Sequence, residues 1–115
     1  MSALEEGSII EIDADDAAGH EQRGRRPALV VSVSVFQEEL GLAVVCPITT
    51  HGGTAQKARN ALEVAVPPGL PVTGAILVYH LRTIDLKARN AKELGKVPRP
   101  TLLTVRGRLK PLLGL

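Results

Sequence analysis

Aromatic residues are almost missing from this chain. Of 115 residues only Phe36 and Tyr79 carry a large ring, tryptophan is absent, and aromatics make up 2% of the sequence. Proteins that read nucleic acid by stacking several successive bases need several such rings on one surface, so a platform of that kind is disfavoured. Cysteine occurs once, at Cys46, which excludes an internal disulfide and any zinc-ribbon spacing. Flanked by Val45 and Pro47, it reads as a small core hydrophobe rather than a nucleophile. No apolar run approaches the ~20 residues of a membrane helix, and the opening Met1-Ser2-Ala3-Leu4-Glu5-Glu6 lacks the basic start and apolar centre of a signal peptide. A cytoplasmic protein with no membrane partner is expected.

What is present suits one domain spanning 1–115, long enough to bury roughly two thirds of the surface its unfolded form exposes. Hydrophobic residues reach 44%, so the core must be built from Val, Leu, Ile and Ala. The formal net charge of +2 says little, but its distribution says more. Carboxylates crowd the front, from Glu5 to Asp16, while cations gather at Arg23, Arg25 and Arg26 and again from Arg82 to Arg108. A basic surface that attracts RNA phosphates is consistent with this, as is an ordinary solvated face.

Short apolar, β-branched runs predict strands over Ser8–Ile12, Leu29–Val35 and Leu42–Ile48, the last two paired as a hairpin. Gln37 to Gly41 reads as a turn or single helical turn closed by glycine. Thr50 to Asn60 carries Gly52-Gly53 and reads as a loop. Leu62–Val66 alternates at period two, predicting a half-exposed strand, and Ala75–Ile84 predicts the longest one. From Pro100 onward Leu102, Val105, Leu109 and Leu112 recur at helical spacing for core packing, with Pro111 expected to kink or fray the last turn. The fold class is mainly β with α: a small SH3-like barrel or strongly bent antiparallel sheet with a C-terminal helix.

The stretch Gly19-His20-Glu21-Gln22-Arg23-Gly24-Arg25-Arg26-Pro27, running into Ala28-Leu29-Val30-Val31, places a histidine, a carboxylate and several arginines in a glycine-punctuated loop at a strand's mouth. It resembles the first motif of the MazF/PemK/Kid family of toxin endoribonucleases, and His20 is similar to the PemK/Kid branch. Cys46-Pro47-Ile48-Thr49-Thr50 resembles the second motif, and Arg82-Thr83-Ile84-Asp85-Leu86-Lys87-Ala88-Arg89 the third. The three stand in family order across nearly the whole chain.

The resemblance implies the toxin of a type II toxin–antitoxin pair, cutting single-stranded RNA, chiefly mRNA, to 2′,3′-cyclic phosphate and 5′-OH ends. RNA supplies its own nucleophile, so a base, an acid and phosphate-binding donors suffice. Neither cofactor nor metal is called for, and the sequence shows no Asp/Glu/His set at metal-ligand spacing. The partners implied are RNA, a second copy of the chain and an antitoxin with an acidic flexible segment.

Arg26 occupies the family's essential arginine position, and its planar cation suits phosphate oxygens; the plainer alternative is a surface ion pair with Glu21. Thr49 can donate a hydroxyl to the same phosphate or simply cap a turn. His20 and Glu21 are the acid/base candidates, with the order of roles left open. Gln22, Arg25, Tyr79, His80 and Arg82 are candidates for RNA contact. The third motif departs from its branch, which carries an arginine, an aspartate and a glutamine where this chain has Leu77, Tyr79 and His80. Either the two rings contact a base, or His80 replaces the missing acid, or one of the two faces the core, since strand neighbours point to opposite faces. Two other functions remain: a CcdB-like gyrase poison of the same fold, and an RNA-binding barrel without catalysis.

Overall fold

Residues 4–14, 24–50 and 60–115 are described by a computed structural model of the chain. Within them run β1 (Ser8–Asp13), β2 (Arg25–Val30), α1 (Ser34–Leu40), β3 (Leu42–Thr49), β4 (Glu63–Ala65), β5 (Ala75–Leu77), β6 (Arg82–Asp85), β7 (Lys92–Lys96) and α2 (Arg99–Leu113). The strands pair antiparallel in the order β4-β5-β3-β2-β1-β7, with β6 also on β3. The end strands β4 and β7 are not paired to each other, so the sheet is strongly bent rather than closed.

Strand alternation sends successive side chains to opposite faces, and two cores result. Ile9, Leu29, Cys46, Ile76 and Val78 pack beneath Leu102 and Val105 of α2. Ile10, Ala28, Val30, Val45 and Ile84 form the second cluster. The helical stripe expected from the spacing fades along α2: Leu102 and Val105 are buried, Leu109 is half-buried, and Leu112 is exposed. Pro111 does not end the helix, which continues to Leu113 and closes on Gly114; lacking an N–H, it costs the last turn the one bond it would have donated to the carbonyl four residues back.

Three strand expectations need correction. The strand read as Leu29–Val35 starts earlier, at Arg25, and stops at Val30. Beyond it the Val44 N–H is taken by the Ser32 hydroxyl at 3.0 Å, a side-chain bond that competes with the ladder, and α1 begins at Ser34. Gly41 ends α1, as the closing glycine implied.

The long strand read as Ala75–Ile84 is two strands separated by a 3₁₀ turn at Val78–His80. Both halves pair with β3, Ile76 opposite Ile48 and Arg82 opposite Val45. The register on the two sides differs by three residues, the length of the turn. Pro47 lies in the gap and has no N–H to donate, so the ladder has reason to break there.

In β4 the half-exposed pattern fails at Glu63, which is 2% exposed. Strand β7, Lys-Glu-Leu-Gly-Lys, carries a single apolar side chain and gave no alternation to read. It pairs with β1 through an irregularity between Ile9 and Ile10, and its charges are those of an edge strand. Most of the Thr50–Asn60 loop lies outside the described residues.

Candidate active site

An open groove of about 720 Å³ runs along the mouth of β2 and the end of β3. Arg25, Arg26, Pro47, Thr49, Leu77 and Arg82 all line it. Residues drawn from all three sequence motifs therefore share one surface. His20, Glu21 and Gln22 lie outside the described residues; of the described residues on either side of them, the Ala14 N–H donates to the Gly24 carbonyl at 3.2 Å.

The two adjacent arginines have different surroundings. Arg25 is held on several sides: Nη1 donates to Asp13 Oδ1 at 2.9 Å, Nε to Glu11 Oε1 at 3.3 Å, and Nη2 to the Glu11 carbonyl at 3.1 Å. Asp13 is fixed in turn by the Asn90 amide at 2.6 Å. The Asn90 and Arg25 donors keep the Asp13 carboxyl below its ordinary range, and Asp13 raises that of Arg25. Arg26 is exposed, and its one hydrogen bond among the described residues runs from Nη1 to the Arg25 carbonyl at 3.4 Å. A Cβ at Gly24 would lie 2.7 Å from Arg26 Nη1, an approach that the flexible, exposed side chain of Arg26 relieves by moving.

Thr49 ends β3 opposite Ala75. Its position depends on Gly74, whose φ of +133° disfavours any other residue and whose added Cβ would stand 2.0 Å from the Thr49 carbonyl oxygen. Arg82 enters the groove from β6. Tyr79 and His80 do not line the groove. They project from the 3₁₀ turn between two residues that do, Leu77 and Arg82. Both are exposed, so neither faces the core; the buried residue of the turn is Val78.

The described carboxylates of the crowded front are used within the fold. Glu5 pairs with Lys96, Glu6 with Arg106, and Glu11 and Asp13 with Arg25. Cys46 is fully buried, and burial pushes its thiol up to about 12, the behaviour of a core residue. Sequence reasoning missed the Asp13–Asn90 tie and the burial of Glu63. Asn90 follows Arg89 in a turn and has a φ of +53°, a conformation asparagine tolerates, so a turn there was the available signal.

The family model of the PemK-like, MazF-like toxin of type II toxin-antitoxin system matches residues 5–113. The chain belongs to that family of toxins. It is 39% identical over 112 residues to Endoribonuclease PemK of Escherichia coli, covering 97% of this chain and 84% of that one. With the endoribonuclease toxin ChpB of Escherichia coli K12 it shares 43% over 95 residues, covering 82% and 80%. A crystal structure of MazE-MazF from Deinococcus radiodurans superposes with a TM-score of 0.86 at 36% identity, covering 100% of this chain and 99% of the other. The bent sheet and C-terminal helix are thus those of a MazF-type toxin.

Proposed function

We propose that this endoribonuclease toxin cleaves single-stranded RNA, mRNA above all, at specific sequences and without a metal ion, and so arrests growth. The observation that carries the reading is the meeting of Arg26 and Thr49 on one open groove. In the proposed step the 2′-oxygen attacks the adjacent phosphorus and its proton passes to a base. The P–O5′ bond breaks, and the departing oxygen takes a proton from an acid. Arg26 spreads its charge over the phosphorane oxygens and the Thr49 hydroxyl donates to one of them, which is electrostatic stabilisation of the transition state. His20 and Glu21 supply acid and base.

The whole chain acts as one toxin domain in the cytoplasm. A second copy completes the RNA cleft across a homodimer interface. The antitoxin's acidic flexible segment occupies the groove and presents carboxylates to Arg26, as the phosphates do. The MazE-MazF complex superposed above supports an antitoxin partner.

Incubation of the purified protein with a synthetic RNA in excess EDTA tests the reading. Cleavage is expected, leaving 5′-OH ends and a terminal phosphate that resists phosphatase until acid opens it. A Mg²⁺ requirement or 5′-phosphate ends would overturn the mechanism, and binding without cleavage would leave an RNA-binding barrel.

A further inference from the structure

Glu63 is a buried carboxylate that the chemistry above does not use. It lies on β4 with 2% of its surface exposed, where a charge is costly unless it is well partnered. Its Oε2 accepts a hydrogen bond from the Tyr79 hydroxyl at 3.0 Å. Tyr79 is one of the positions at which the third motif leaves its family.

The turn that carries Tyr79 is anchored from beneath. Val78 is fully buried and Leu81 packs against the same core cluster, while Leu77 before the turn and Arg82 after it both line the groove. Tyr79 and His80 therefore stand at the groove's rim, with Tyr79 40% exposed. Their rings meet edge to face, with 4.8 Å between centroids and 78° between planes. A surface tyrosine is ordinarily free to change rotamer; this one is tied at its far end to a buried carboxylate.

We infer that Glu63 is a positioning residue for base recognition: by holding the Tyr79 hydroxyl it fixes the Tyr79–His80 ring pair at the groove's rim as a seat for one unpaired RNA base. The inference rests on the reading of the groove as an RNA cleft. A π-face for stacking and an imidazole nitrogen for a base edge are the groups that single-stranded RNA recognition uses. With so few aromatics in the chain, the described surface offers one such seat rather than a row. Base contacts specify while phosphate contacts position, so the pair governs which sites are cut and Arg26 governs how fast a bound site is cut.

The test sequences the cleavage ends of a long RNA and measures single-turnover rates on the preferred site and on sites that differ from it by one base. Tyr79→Phe keeps the ring and loses the tie to Glu63. The ratio of preferred to near-preferred rates is expected to fall about tenfold, the scale of one good base contact. Glu63→Ala should follow Tyr79→Phe, and Glu63→Gln, whose carbonyl still accepts the phenol proton, should keep the wild-type ratio. If Glu63→Ala does not fold, Tyr79→Phe, altered at an exposed side chain, still decides. An unchanged ratio in both Tyr79→Phe and Tyr79→Ala, or equal loss of rate at every site, would overturn the inference. A wild-type protein that cuts no RNA would instead overturn the reading of the groove itself.

Discussion

Arg25 and Asp13 form an ion pair of 2.9 Å at the mouth of the groove, and the residue after Arg25 is left exposed beside it. Two consecutive arginines thus have different surroundings. The first ties β2 to β1 and, through Asp13 and Asn90, to the turn after β6; the second lies exposed on the groove lining.

This contrast sets different salt dependences. Each phosphate contact on a single strand contributes a slope of about −0.7 in log K against log[salt]. Arg26→Ala should therefore reduce the slope of RNA binding by about 0.7, and Arg25→Ala by much less. Equal reductions would mean that Arg25 leaves its carboxylates to meet RNA. The Asp13 carboxyl is held below its ordinary value, so the tie persists at neutral and mildly acidic pH and is lost only as the pH falls through that lowered value.

Gly74→Ala should damage stability and cleavage together. The backbone φ of +133° and the 2.0 Å approach to the Thr49 carbonyl leave no place for a methyl group. Left-handed strain alone costs about 1–3 kcal/mol, which in a domain of this size lowers Tm by roughly 4 °C or more. The end of β3 must shift, carrying Thr49 with it. Thermal unfolding and a cleavage assay below the melting range check both effects, and a variant with wild-type Tm and rate would show that the β3–β5 corner is looser than described.

Cys46 should be inert in the native protein. With its thiol pushed up to about 12, the thiolate fraction near pH 8 falls ~10³-fold below that of an ordinary cysteine. Alkylation by iodoacetamide should be undetectable on the time scale at which the urea-unfolded chain reacts fully. Similar rates in both states would mean that the core opens at Cys46.

Much of this was legible in the sequence because it rests on local chemistry. The β1, β3 and α2 segments announce themselves by apolar runs and by spacing, and the three motifs by residue type. What escaped is non-local. The break in the strand after Leu77 follows from Pro47, which is distant in sequence but opposite in the sheet. Strand β7 has one leucine and is held by β1 rather than by its own pattern. Glu63 looked like the polar member of an alternating strand, and its hydrogen bond from Tyr79 joins it to a turn distant in sequence that the strand's own pattern does not reveal. The arginine pair could be named in advance but not told apart, since what separates Arg25 from Arg26 is the placing of Glu11 and Asp13 across the β1–β2 ladder.

The groove as a centre for phosphodiester cleavage is tested most directly by the single-turnover rate of Arg26→Ala on a saturating RNA substrate, with circular dichroism to establish that the fold is intact. Arg26 is exposed and outside both cores, so folding should be unaffected, while loss of one transition-state donor lowers the rate by about 10²–10³-fold. A folded Arg26→Ala protein that cuts RNA at the wild-type rate would contradict the assignment of the groove.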